Sequence, residues 1–234
     1  MFNDGSATPY TKELVLTNKQ KSAAIAIIFY KGTGLNSDIY KGDTEFSGTI
    51  WEPGDTTTSR TLGVGLKCGI VDSTSWGWDD IKSMDCYIDE YSSCGDRNGS
   101  DNFEQIFDYY EANPSIYWNI TYFKKSAAFC FVNKYKDQKI GTERISRIKK
   151  GSDYENGWYV PSIAEMCVLY KCFDNTENDF SINAASNLCG GDQFSGLYWL
   201  QSTNMYVLVF TDGNVYTSTI YPVRIPVCAI REFN

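Results

Sequence analysis

The chain has 234 residues, a formal net charge of −8 and 15% aromatic side chains. That length is enough to bury a substantial core, and the composition is that of a folding chain, not a disordered one. The acidic balance excludes nucleic acid as a natural partner, because it repels phosphate backbones. The absence of histidine removes Ser-His-Asp and Cys-His catalysis, HExxH metal sites and Cys/His zinc fingers together.

In chain order, Lys12–Leu16 and Ala23–Tyr30 read as two early strands. Ala23–Tyr30 (AAIAIIFY) is also the longest apolar stretch. It falls far short of the roughly 20 residues that a spanning helix needs, so the chain is expected not to cross a membrane. Nor does it have the layout of a signal peptide. An exported chain would therefore have lost its signal, or begin at an added Met1. From Gly32 to Ser59 the composition turns to Gly, Asp, Thr and Ser, with Trp51 and Pro53, and reads as a long surface loop. Arg60–Lys67 (RTLGVGLK) reads as a short buried strand.

Helices are expected next. Asp101–Glu104 (DNFE) has the form of a capping box, with Phe103, Ile106, Phe107 and Tyr110 on one face behind it and Pro114 as the stop. Lys125–Tyr135 is a second helical stretch, with Phe129, Phe131 and Val132 turned inward. Lys136–Asp153, rich in Lys and Arg, reads as solvated surface. Trp158–Val160 is extended. Ser162 then caps a helix, with Glu165 completing the box and Ile163, Met166, Leu169 and Tyr170 facing the core. Ile182–Leu188 forms a further short helix that ends at Gly190-Gly191, where a left-handed cap is cheap.

The rest reads as strand: Leu197–Leu200, then Met205–Phe210, an Asp212-Gly213 hairpin, Val215–Tyr221 and Val227–Phe233. Pro222 and Pro226 are expected to interrupt the ladder. Along the last strand, Val227, Ala229 and Phe233 should face one way and Cys228, Ile230 and Glu232 the other. With Tyr206, Leu208 and Phe210 inward, Met205, Val207 and Val209 point outward, and apolar residues on that face suggest a contact surface. Tyr216, Ile220, Tyr221 and Arg224 add residue types favoured at binding surfaces.

Eight cysteines (68, 86, 94, 130, 167, 172, 189 and 228) contain no CxxC pair, which argues against a redox motif or a zinc ribbon. Their even number permits disulfides, with buried free thiols as the alternative. Glu165 and Glu104 are explained by capping. Gly190-Gly191-Asp192 lacks the setting of a phosphate loop. Arg231 is expected to make a structural ion pair.

GWYVPSIAEM, NAASNLCGGDQF, LYW, the Asp-Gly hairpin and VCAIREF together resemble the DUF1566 (Lcl C-terminal-like) branch of the C-type lectin fold. AAIAIIFYKGTG, RTLGVGLK and GDRNGSDNFEQI extend the likeness to the variable proteins of Treponema-type diversity-generating retroelements. The resemblance implies an α+β fold: one C-type lectin-like domain over residues 1–234, with terminal strands paired, a helical or loop insert, residues 43–59 as a surface insertion, and residues 197–234 as a variable-type sheet region.

It also implies a ligand-binding, receptor- or adhesin-like protein, not an enzyme, whose partner is a protein or cell-surface ligand. The implied location is exported, at the cell surface, with any lipid anchor upstream. In such proteins, template copying with errors at adenines rewrites Asn-type codons. Leu200, Ser202, Thr203, Asn204, Val207, Val209, Val215, Tyr216, Ser218, Ile220, Tyr221, Val223 and Arg224 are compatible with that origin. Met205 and Gln201 are not, and Trp199 and Phe210 read as fixed scaffold. The alternatives are a fixed-specificity adhesin or glycan-binding module and, further off, an oxidase like the formylglycine-generating enzymes, for which Cys167 and Cys172 are poorly set.

Trp51-Glu52-Pro53-Gly54 only partly matches the Glu-Pro-Asn calcium and sugar motif of C-type lectins. Asp79-Asp80 and Asp96…Asp101 read as a solvated acidic face, not a calcium site. No metal and no cofactor are expected.

Overall fold

The structure is a computed structural model. It describes residues 1–32, 59–72, 131–132, 135–136, 139–140, 157–173, 180–199, 206–210, 215–217 and 224–233. The expected DNFE helix, the 43–59 insertion up to residue 58, the Glu-Pro motif and the acidic clusters at 79–80 and 96–101 lie outside the described residues.

The first element is a helix and not the expected Lys12–Leu16 strand. Helix α1, Asn18–Ala23, starts at Thr17, whose hydroxyl accepts the Gln20 amide while Gln20 Oε1 accepts the Thr17 amide. This reciprocal box ties up two backbone donors that would otherwise lack a partner. Residues 12–16 run irregularly before it, with Leu16 buried and Val15 84% exposed. Strand β1, Ala26–Gly32, therefore begins three residues later than expected.

Strand β2, Arg60–Gly65, pairs antiparallel with β1, with a bulge between Ile28 and Tyr30. The glycine at the end of β2 is required by packing. A Cβ on Gly65 would lie 2.5 Å from the hydroxyl oxygen of the fully buried Tyr135. That hydroxyl accepts the Lys67 amide at 2.9 Å.

After β3, Gly69–Asp72, the described chain resumes with Phe131 and Val132, both helical and buried, as the expectation for that stretch requires. Tyr135 does not continue the helix. It opens β4, Tyr135–Lys136, which pairs with β5, Lys139–Ile140.

Strand β6, Trp158–Tyr159, leads into helix α2, Ile163–Lys171, through the Ser162/Glu165 box foreseen in the sequence. Met166 and Leu169 are fully buried, and Tyr170 is partly so. Helix α3, Ile182–Cys189, is capped by the Ser181 hydroxyl and closes at Gly190, whose φ of 75° places it in the left-handed region. Strands β7 (Leu197–Trp199), β8 (Tyr206–Val209), β9 (Val215–Thr217), β10 (Arg224–Val227) and β11 (Ile230–Glu232) complete the chain.

The architecture is α+β with antiparallel pairing. One four-stranded sheet has the order β1-β2-β11-β6, a three-stranded sheet has the order β7-β8-β9, and β10 pairs with β3. The last strand is thus central. It does not pair with the first, as expected of terminal strands; β2 stands between β1 and β11. β2 pairs through its backbone on both edges, and its Leu62 and Val64 side chains are completely buried.

Two further expectations need correction. Pro226 does not interrupt β10 but sits inside it, opposite Ile70. Among the described residues β10 pairs with β3 alone, and a strand with one unpaired edge tolerates a proline whose missing N–H costs no ladder bond. The residues along 227–230, expected to point alternately to two sides, are covered on both. Val227, Cys228, Ala229 and Ile230 are all fully buried, with 228–229 linking β10 to β11.

A charged network ties the four-stranded sheet to α2. Arg60 reaches Glu165 at 3.3 Å, Glu232 at 3.1 Å and the Tyr159 hydroxyl at 3.0 Å. The Tyr159 hydroxyl donates to Glu165 Oε1, and Glu165 Oε2 accepts the Ser162 amide. Burial disfavours the Arg60 charge, but Tyr159, Glu165 and Glu232 outweigh it and hold the guanidinium protonated. Glu165 is therefore both cap and counter-ion. Arg231 lies with its guanidinium carbon 5.4 Å from the centre of the Phe233 ring, a cation–π contact.

Candidate functional site

The region the sequence marks as a binding surface stands on three strands whose register sorts its residues into rows. Leu197 is opposite Val209, Tyr198 opposite Leu208 and Trp199 opposite Val207. Across the hairpin, Val207 is opposite Tyr216, Leu208 opposite Val215 and Tyr206 opposite Thr217. Cross-strand partners share a face, and successive rows alternate between faces. Tyr198 is 2% exposed and Phe210 1% exposed, which fixes their rows as the core side. Leu208 and Val215 belong to the Tyr198 row. Trp199, Val207 and Tyr216 form the next row of the register, and Leu197 and Val209 the row on the other side of Tyr198.

Of the residues singled out in the sequence, Val207, Val209, Val215 and Tyr216 lie on the β8–β9 strands, with Val207 opposite Tyr216 and Val215 in the row of Leu208 and Tyr198. Arg224 opens β10 directly across from Asp72. Leu200, Ser202, Thr203, Asn204, Ser218, Ile220, Tyr221 and Val223 lie outside the described residues, as do Gln201 and Met205.

The core side of this sheet rests on an aromatic cluster. The Phe210 ring meets those of Tyr198, Phe173, Tyr170 and Phe194 at centroid distances of 5.0, 5.3, 5.7 and 5.7 Å. Edge-on and offset contacts of this kind suit the ring quadrupoles. Phe194 is clamped at its backbone by Asn183, whose side-chain oxygen accepts the Phe194 amide at 2.7 Å and whose amide nitrogen donates to the Phe194 carbonyl at 2.9 Å. The Phe210 amide donates to Gly196 O at 2.7 Å, fastening the end of β8 to the entry of β7.

A second anchor is Asp192, which follows the helix-ending glycines. Its carboxylate accepts the Cys68 amide at 3.0 Å and pairs with Lys67 at 2.9 Å, while its own amide donates to Leu66 O at 2.8 Å. The Ser186 hydroxyl donates to the Asp192 carbonyl. Asp192 thereby holds the bend between β2 and β3. The Tyr198 hydroxyl donates to Cys68 Sγ at 3.6 Å, joining that bend to β7. Burial, then the neighbouring Cys68, raises the Tyr198 phenol far above its ordinary range, so it stays a neutral donor.

Sequence reasoning missed these supports. Phe194, Tyr198 and Asp192 carry no local signature beyond apolar spacing and a Gly-Gly-Asp turn.

Cys68, Cys167, Cys172, Cys189 and Cys228 are free thiols, so the permitted disulfides are not formed among the described residues. Among those residues no three acidic, cysteine or histidine side chains group as metal ligands, and no helix is long and apolar enough to cross a membrane. An apolar cavity of about 530 Å³ lies elsewhere, between residues 7–16, β1 and α3, lined by Tyr10, Leu14, Ile28, Phe180 and Leu188 among others.

No family model, curated protein or solved structure matches this chain.

Proposed function

We propose that this chain is a ligand-binding module of C-type lectin type, displaying a variable surface built from residues 200–224 toward a protein or cell-surface ligand. The observation that carries the reading is the register of β7, β8 and β9. It separates Val207, Val209 and Tyr216 from the row of the buried Tyr198 and from Phe210. Residues on that outer face can change without entering the aromatic cluster, so recognition and folding are assigned to different side chains of the same strands. Aromatic and β-branched residues there give broad apolar contact, and Arg224 adds a polar anchor. The mechanism is recognition on a rigid sheet.

A displayed library tests it. The codons of Val207, Val209, Tyr216, Ser218, Ile220, Tyr221, Val223 and Arg224 are randomised at their first two bases, and the library is panned against a folded protein such as lysozyme. The reading expects folded binders whose melting temperatures stay close to that of the parent. Collapse of most members, to the extent seen when Tyr198 and Phe210 are randomised instead, would overturn it.

A further inference from the structure

Cys68 and Cys228, both free thiols in the structure, lie in the links between β2 and β3 and between β10 and β11. Val227 is opposite Gly69 in the antiparallel β10–β3 ladder. The ladder ends at that pair, and Cys228 and Cys68 are the next residue of each strand, near enough for the Cys228 thiol to feel the charge of Cys68. The strands remain together on the far side of the links, where the Gly65 amide donates to Ala229 O at 2.9 Å and Ile230 pairs with Val64. Opposed residues of antiparallel strands, as Val227 and Gly69 are, have Cα atoms about 4.5–5.5 Å apart, and each cysteine is one residue beyond that pair. A disulfide spans about 4.4–6.8 Å.

The surroundings suit a finished bond better than a reactive thiol. Cys228 is fully buried, and Cys68 Sγ accepts the Tyr198 hydroxyl. Burial pushes the Cys68 thiol up to about 12 and the Cys228 thiol well above its usual range. Thiolate, the species that exchanges, is therefore scarce once the chain has folded.

We infer that Cys68 and Cys228 form a cross-strand disulfide while the chain folds, when a small-molecule disulfide such as oxidised glutathione is present. One cysteine thiolate attacks oxidised glutathione, forms a mixed disulfide and expels a glutathione thiolate. The other cysteine thiolate then attacks the protein sulfur of that mixed bond and expels the second glutathione thiolate. Two protein thiols are oxidised, one glutathione disulfide is reduced to two thiols, and the two protons pass to the departing thiolates. The bond joins the two links and holds β3 against β10, the strand on which Arg224 stands. It encloses most of the chain between its ends, so it restricts the unfolded state strongly.

The test uses the full chain recovered from an oxidising compartment. Free thiols are blocked with N-ethylmaleimide, the protein is digested without reduction, and the peptides are mapped by mass spectrometry. The expected product is a peptide pair joined through Cys68 and Cys228 that separates on reduction. The expected melting temperature of Cys228→Ser is about 5–15 °C below that of the oxidised parent. N-ethylmaleimide on both Cys68 and Cys228, or Cys68 joined to any other cysteine, would overturn the inference. If Cys228→Ser does not fold, the peptide map of the unmutated chain decides alone.

Discussion

Phe210→Ala removes the hub of the aromatic cluster that supports the proposed surface. The ring is 1% exposed and touches four other rings, at centroid distances of 5.0 to 5.7 Å. Truncating a buried phenylalanine costs about 3–5 kcal/mol, from lost transfer energy and the cavity left behind. Those rings come from α2, the segment after α3 and β7, so little can collapse inward to fill the space. For a chain of this size, each kcal/mol lowers the melting temperature by about 2–4 °C. The expected fall is therefore about 6–20 °C. Val207→Ala, on the same strand but in the row of the other face, is expected to cost under ~1 kcal/mol. Urea unfolding followed by near-ultraviolet circular dichroism reads both. Equal costs at the two positions, or a Phe210→Ala cost under ~1 kcal/mol, would refute the division of the sheet into a supporting face and a free one.

Gly65→Ala is expected to destabilise by about 1–3 kcal/mol, because the added methyl meets the buried Tyr135 hydroxyl at 2.5 Å. The companion Tyr135→Phe in a Gly65→Ala background should recover part of that loss in thermal melts. Arg60→Met should cost about 3–5 kcal/mol by leaving Glu165 buried without its cation. Adding Glu165→Gln should return part of it, measurable as a double-mutant cycle. The reduced protein should also lose stability in alkali. The Cys68 thiol ordinarily ionises near 9.0 and is raised to about 12 in the fold. Its contribution is thus complete below about pH 9 and is lost as the pH climbs toward 12. A thermal-melt series from pH 8 to 11 on reduced protein should show the decline, and Cys68→Ala should flatten part of it.

The sequence disclosed what is encoded locally. Ser162 and Glu165 and the glycine after Cys189 each specify a cap within a few residues, and helices α2 and α3 follow. A two-residue Asp212-Gly213 loop would instead set Leu208 opposite Thr217, whereas the ladder sets it opposite Val215. Thr17 and Gln20 carried an equally local signal. The apolar spacing of Leu14 and Leu16 pointed to a strand, and the cap won because it satisfies donors that the alternation leaves open. Long-range choices were not legible. Nothing near Ile230 says that β11 will lie between β2 and β6, and nothing near Pro226 says that its strand will have a free edge. Arg60 sits in an apolar run, and only Glu165 and Glu232, distant in sequence, explain its burial. For the surface itself, alternation along β8 foretold that Phe210 is buried.

The most direct measurement of the central claim is the DNA sequence flanking the gene, aligned with codons 197 to 230. The account predicts a nearby partial copy that differs almost only at adenines of the codons for residues 200–224, with a reverse transcriptase gene beside it, and with the codons of Trp199 and Phe210 unchanged between the copies. A flank with no such copy, or a copy whose differences fall equally on Tyr198, Phe210 and the outer-face residues, would contradict a surface built for diversification.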